Sequence, residues 1–349
     1  MSVRNGAEFL RPCLDGIVAQ TFGDFECIIL DDGSTDESLE IVRACAREDS
    51  RIRPVPLGNN VGLPEALNRG LALARGELVA RIDADDICAP QRLAEQVAFL
   101  ERHPGVGVLG TAARLIDASG ASIGTVAFPA ESGVLKWLLF FQNPLIHPSV
   151  VARRRVLEEV GGYDPRFDRC EDYELYCRLR ERTEFANLAE PLVLLRKHAA
   201  NVSVVHGREQ AARADRACRR ILAATLRRRV SREEVVLLRV AEIRGAAAAL
   251  AHVRLVRELA RAFLARSKLC PRERRAVRAD AAARIWAVRN DLGPGWGRIH
   301  GLACVAELDP GFVLAWLRAK LAAVRTPPAA ALAPRPRDRS SPAAGEADR

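Results

Sequence analysis

The chain has 349 residues, about half of them apolar, enough for one large core or two smaller ones and too many for a disordered protein. Its net charge of +9 is uneven, with −7 on residues 1–206, +15 on 207–325 and +1 on 326–349, which predicts two modules with different partners. Nine scattered cysteines without a CxxC pair exclude a disulfide framework and a zinc knuckle and fit a reducing cytosol, and no apolar run reaches the roughly 18 residues of a membrane span.

Met1 to Leu10 is polar, carries Arg4 and Glu8, and does not read as a signal peptide. A helical pattern at 7–20 follows only "MSV", where a doubly wound sheet needs a strand. Either that strand is a stub or the true start lies upstream of Met1, and the second is expected. Further on, "FECIIL" (25–30), "LVARI" (78–82), "VGVLG" (106–110) and "HPSVVA" (147–152) read as strands. Segments 35–48, 63–75 and 90–103 place apolar residues at helical spacing. Ser34 and Asp36 suit N-caps, and Pro64 and Pro90 suit first helical turns. Alternation of this kind predicts an α/β sheet with parallel strands and helices on both faces.

"VLKWLLFF" (134–141) and "GFVLAWL" (311–317) are too short to span a bilayer and read as core or interface segments. From about Gly207 to Arg325 strand signals vanish. Residues 231–267 read as one or two amphipathic helices, and 271–290 as another that opens at a proline. The tail 326–349 is rich in proline and alanine and is expected to be disordered.

Two segments carry the chemistry. "CIILDDGSTD" (27–36) is an apolar strand ending in carboxylates, and ligands of open α/β sheets bind at such strand ends. A carboxylate there can accept from a nucleobase N–H or a ribose hydroxyl; the plain alternative is a turn with a helix cap. "RIDADD" (81–86) is sharper. Asp83 and Asp85 alternate and so point the same way in extended backbone, which suits Mg²⁺ or Mn²⁺ with oxygen ligands. Asp86 reads as no more than a cap for the helix expected at Pro90.

Five motifs in order, "NGAEFLRPCLDGIVAQTFGDFECIILDDGSTDES", "NNVGLPEALNRGLALARGELVARIDADD", "NPLIHPSVVARR", "GGYDPRFDRCEDYELYCRL" and "LRKHAANVS", resemble the inverting family 2 glycosyltransferases of the GT-A fold over roughly residues 1–205. The resemblance implies a nucleotide-diphosphate sugar donor (UDP-, GDP- or dTDP-linked), a divalent metal and inversion at the anomeric carbon. It also implies a mixed Rossmann-like sheet, here followed by a helical module. Carried over by position, Ser2, Arg4, Asp32 and Asn60 bind the nucleotide side of the donor. Asp83 and Asp85 form the DxD pair, with Asp85 the direct metal ligand, and His198 completes the metal site. Asp172 is the catalytic base, Gly162 faces donor and acceptor, and His147 lies near the reaction centre.

The physical case for Asp172 stands beside that resemblance. An acceptor hydroxyl needs a base as the new bond forms, and exposed N–H groups at a helix start favour a carboxylate. The expected organisation is a GT-A domain at 1–206, a basic helical region at 207–325 and a tail at 326–349. The expected place is the cytoplasm, with peripheral contact between the basic helices and an anionic membrane face. The expected acceptor is a glycan or lipid-linked glycan of the cell envelope. A non-catalytic nucleotide-binding scaffold and a nucleotidyltransferase remain the alternatives. Nucleic-acid binding is disfavoured because no aromatics interleave the arginines.

Overall fold

The computed structural model describes residues 1–199, 206–239, 243–292, 295–312 and 314. Alternating strands and helices open the chain: β1 (Ser2–Val3), α1 (Ala7–Val18), β2 (Cys27–Asp31), α2 (Ser38–Glu48), β3 (Ile52–Pro56) and α3 (Leu63–Leu73). The three strands are parallel with β2 in the middle, Ser2 opposite Leu30 and Cys27 opposite Ile52. Gly62, with φ of 87°, turns the chain into α3, and Pro64 sits in its first turn as its fixed φ favours. The expected caps are corrected. Asp36 accepts from the backbone N–H groups of Ser38 (3.0 Å) and Ala7 (3.1 Å), and Ser34 Oγ accepts from Asn5 N–H (3.1 Å). Both therefore fasten the loop before α1 to the loop before α2.

The second sheet is mixed. It contains β4 (Leu78–Ala80), β5 (Ile87–Cys88), β6 (Val106–Ile116), β7 (Ser122–Val126), β8 (Val151–Arg153) and β9 (Glu184–Arg196), ordered β4-β8-β6-β9-β5 with β7 paired to β6. Only β6 and β9 run parallel here; the remaining pairs are antiparallel. The parallel strands expected from the alternation are those of the first sheet, and the mixed arrangement that the resemblance implies is found in the second. β6 returns through a tight turn closed by Asp117 N–H to Ala121 C=O (2.9 Å), and only antiparallel strands join so tightly. β9 was hidden because "EFANLAEPLVLLR" holds Glu190 and Pro191. Pairing with β6 shifts between Thr111, opposite Leu188, and Ala112, opposite Pro191, a bulge where a proline is tolerated.

Helix α4 (Arg92–Arg102) starts two residues after Pro90, so that proline precedes the helix instead of opening it. α5 (Ser132–Leu138), α6 (Arg154–Glu159) and α7 (Glu171–Leu179) complete the sheet-bearing part. The basic part follows as α8 (Gly207–Leu226), α9 (Arg232–Arg239), α10 (Ala246–Arg266), α11 (Pro271–Ala287) and α12 (Trp296–Leu308). Segment 231–267 is thus two helices, and α11 opens at its proline. Most of 311–317 and all of 326–349 lie outside the described residues.

One apolar cluster runs from α5 and α7 into α8, α10 and α11. Trp137 and Phe140 of "VLKWLLFF" are fully buried in it. The Trp137 indole N–H donates to Asp280 (2.6 Å), and Gly133 N–H donates to Glu273 (2.7 Å). The buried Arg180 lies over the rings of Phe140 and Phe263. No helix among the described residues is long and apolar enough to cross a membrane.

Candidate active site

The end of β4 leads directly into the acidic turn. Arg81 N–H bonds Val150 C=O (2.9 Å), after which Asp86 N–H folds back on Asp83 C=O (3.3 Å). Ligand atoms of Asp83, Asp85 and Asp86 lie within 4.8 Å of one another. Each carboxylate has its own partner, which is how the turn tolerates the crowding. The buried Arg81 guanidinium pairs with Asp83. His198 Nε2 is 2.9 Å from Asp85 Oδ2, and its ring packs 5.1 Å from Phe9. Asp86 accepts from Arg196 N–H (2.8 Å).

Asp86 is therefore not a helix cap. α4 starts six residues later, and the side chain turns inward, 1% exposed, to hold β9. Its second oxygen is buried without a hydrogen-bond partner among the described residues. Burial, then the charges of Asp83 and Asp85, push its carboxyl well above the usual range. Carboxylates and an imidazole at one strand end are a donor set that fits a hard divalent cation.

A second group lies across Arg81. His147 stands in a short 3₁₀ turn (His147–Ser149) ahead of β8, its Nε2 3.1 Å from the Tyr163 hydroxyl and its Nδ1 4.0 Å from Glu171 Oε1. Burial, helped by the charge of Arg81, lowers its pKa well below the ordinary value, so the ring is neutral. Glu171, 4% exposed with one oxygen unpartnered among the described residues, is pushed up to about 8 by burial and then by Asp172. Asp172 is only half-buried. Asn143 Nδ2 donates to one of its oxygens (2.7 Å) and the Tyr173 N–H at the start of α7 to the other (2.7 Å). Burial raises its carboxyl above the usual range against the pull of those N–H groups and Arg81.

Gly162 adopts φ of +68°, and a Cβ there would meet Asn68 Oδ1 at 2.4 Å. The Asn68 amide clasps Tyr163 by its N–H (2.8 Å) and C=O (2.8 Å). Arg178 of α7 donates to the carbonyls of Val160 (2.6 Å) and Gly162 (2.7 Å). Only glycine fits this close left-handed approach, so the loop is held between α3 and α7.

The end of β2 forms the third group. Asp32, 3% exposed, accepts from Val61 N–H (2.6 Å) and Gly62 N–H (3.1 Å). Asn60 Oδ1 accepts from the same Gly62 N–H (3.1 Å), and Gly33 passes so close that a Cβ would sit 2.8 Å from Asn60 N. Ser2 is half-buried on β1, and Arg4 is exposed in the loop behind it.

These three groups can be set against known proteins. A sequence model of Glycosyl transferase family 2 matches residues 1–159. The amylovoran biosynthesis glycosyltransferase AmsE of Erwinia amylovora is 33% identical over 193 residues, 54% of this chain and 71% of that protein. The chain belongs to glycosyl transferase family 2. The putative glycosyltransferase EpsE of Bacillus subtilis is 31% identical over 63% of this chain and 81% of its own. Residues 1–349 of S. aureus TarS, solved with UDP-GlcNAc, superpose with a TM-score of 0.53 at 16% identity over 90% of both chains, a likeness of fold.

In this family 2 glycosyltransferase Arg81 pairs with Asp83 of the acidic turn and its charge acts on His147, Glu171 and Asp172, while Gly162 precedes Tyr163, whose hydroxyl meets His147. Asn5 fastens the loop that follows β2, its Oδ1 accepting from Thr35 N–H (2.8 Å). Sequence reading passed over Arg81, Asn5, Asn68, Asn143, Tyr163, Arg178 and Arg196. The signal at Asn5 was an Asn-Gly step after a strand, a turn former. The others are ordinary strand, helix or loop residues whose partners lie far along the chain.

Proposed function

We propose that the enzyme transfers a sugar from a nucleotide-diphosphate donor to a hydroxyl of a glycan or lipid-linked glycan, with inversion, within residues 1–206. The reading rests chiefly on Asp172. It is a half-buried carboxylate at a helix start, oriented by Asn143 and a backbone N–H, within electrostatic reach of Arg81 and Asp83. Its raised pKa brings it closer to the pH at which it must take the acceptor's proton. The neutral Glu171 and His147 beside it keep further charge out of the pocket. Tyr163, clasped by Asn68, fixes the wall that the sugar faces.

Asp83, Asp85 and His198 would hold Mn²⁺ or Mg²⁺, which supplies neutralisation of the charge on the leaving diphosphate. Asp32, Asn60, Ser2 and Arg4 border the space offered to the base and ribose. The names of AmsE and of the O-antigen biosynthesis glycosyltransferase WbnJ of Escherichia coli support a role in exopolysaccharide or O-antigen assembly. The exposed Arg275 and Arg278 of α11 support contact of the 207–325 helices with an anionic membrane face.

The test is a panel of nucleotide sugars offered with Mn²⁺, with Mg²⁺ and with a chelator. Metal-dependent release of a nucleoside diphosphate from one donor class is expected. Metal-independent release would contradict the assignment of Asp83, Asp85 and His198, and release of inorganic diphosphate from a triphosphate and a sugar phosphate would indicate nucleotidyl transfer instead.

A further inference from the structure

The loop that follows α6 leaves that helix through two left-handed residues, Gly161 and Gly162, with φ of 77° and 68°. Gly161 N–H donates to Glu158 C=O (2.9 Å) and Gly162 N–H to Leu157 C=O (2.9 Å). Those bonds close the helix, but the carbonyls of Val160 and Gly162 lie beyond its ladder and need partners from elsewhere. One side chain answers both. Arg178 Nη1 donates to Val160 C=O (2.6 Å) and Nη2 to Gly162 C=O (2.7 Å).

The third nitrogen of Arg178 is engaged as well, since Nε donates to Glu174 (2.8 Å) one turn earlier on α7. A guanidinium is planar, so three bonds in three directions fix its place and with it the spacing of the two carbonyls. A lysine at this position offers a single point of charge and cannot bridge them.

The helix that carries this fork also carries the candidate base. Asp172 lies in the first turn of α7 and Arg178 in the last, about 9 Å apart along the axis. The loop leads straight into Tyr163, whose backbone is clasped by Asn68 of α3 and whose hydroxyl meets His147 (3.1 Å). Asn68 therefore ties the wall of the pocket to α3, whereas Arg178 ties it to the element that bears Asp172.

Glu174 extends the chain of contacts outward. It is 1% exposed and also accepts from Arg220 of α8 (3.2 Å). The Arg220 guanidinium lies 5.0 Å over the buried ring of Phe167. Removing a partner from a buried charge is costly, so Glu174 holds both arginines in place, one on each side of the charge boundary at 206–207.

We propose that Arg178 is a positioning residue for sugar transfer: it sets the Gly162–Tyr163 wall in register with Asp172, and α8 keeps it there through Arg220 and Glu174. It acts through the wall and touches no substrate. The inference rests on the transfer reading above, and it makes α8 part of the catalytic unit.

The test compares wild type, Arg178→Lys and Arg220→Met. Activity is Mn²⁺-dependent release of nucleoside diphosphate to water from whichever nucleotide sugar the wild type turns over fastest. Arg178→Lys is expected to lower kcat by at least about tenfold while KM for the donor moves less than about twofold. Arg220→Met, far from the pocket, should act in the same direction and by less. A second readout needs no substrate. In protein labelled with ¹⁵N-histidine, the His147 Nε2 signal, assigned by its loss in His147→Gln, should move in Arg178→Lys toward its position in Tyr163→Phe. Wild-type kcat in Arg178→Lys with a lowered Tm would mark a purely structural arginine and overturn the proposal. So would a fall in kcat with the His147 signal unmoved, because the effect would then bypass the wall. Failure of the wild type to turn over any donor would instead overturn the transfer reading, and this inference with it.

Discussion

Between β4 and β5 three carboxylates share a space 4.8 Å across, whereas the arginines of α8 to α12 are spread over five helices and many rest on a partner. Arg239 binds Asp215 (3.0 Å) and the Tyr173 hydroxyl (2.8 Å), Arg228 bridges Glu234 (2.7 Å) and Glu258 (2.8 Å), and Arg284 lies 3.5 Å over Phe141. The acidic turn instead keeps a buried oxygen of Asp86 without a partner among the described residues. Formal charge is larger in the helices, yet much of it there joins elements together. In the turn it is concentrated in one cluster of carboxylates at a strand end, the condition under which charge binds a ligand.

Four experiments can break or sharpen that contrast. The largest effect is expected from Asp172→Asn, which should lower kcat by about 10²–10⁴-fold while donor Kd moves less than about twofold, measured by single-turnover transfer and calorimetry. In the helical region, Arg239→Ala should cost about 3 kcal/mol, because it strands the Asp215 charge in a largely buried setting. Denaturant unfolding would show it, and an unchanged midpoint would mean that this arginine is not structural.

Glu171→Gln should act through pH. Folded Glu171 keeps its proton up to about 8, whereas its ordinary value is 4.5. The folded state therefore holds more protons between those values, and its stability falls as pH rises across that window by up to about 1.4 kcal/mol per pH unit. Glutamine removes the ionisation, so the variant should be the more stable at pH 8 and its unfolding free energy flatter; parallel curves would contradict the burial argument. The smallest effect is expected at the surface. Arg275→Gln with Arg278→Gln should weaken sedimentation with anionic vesicles by about 1 kcal/mol per residue, a difference that salt should erase.

What the sequence made legible follows the range of the interactions. "CIILDDGSTD" and "RIDADD" announce themselves because a strand and its terminal acids are contiguous, so strand direction alone places the acids at the carboxyl end of each strand. Pro64 and Pro271 marked helix starts through a local dihedral preference. The parts that escaped depend on distant partners. Asp86 looks like a cap until Arg196, 110 residues on, is brought to it. Asn68 is one polar residue of α3 until it meets Tyr163, 95 residues away. β9 escaped for a different reason, since a bulge at Pro191 disguises a long strand. The charge count divided the chain at 206–207, but one apolar cluster crosses that point; charge lies on surfaces and says little about how cores join.

The most direct test of the central claim is calorimetric titration of a nucleoside diphosphate into the wild type and into Asp85→Asn, each with Mn²⁺ and with a chelator. Tight binding by the wild type in Mn²⁺ alone, lost by at least about tenfold in Asp85→Asn and absent for both in chelator, is the predicted result. Equal affinity of the two proteins in Mn²⁺, or wild-type affinity unchanged by the chelator, would contradict it.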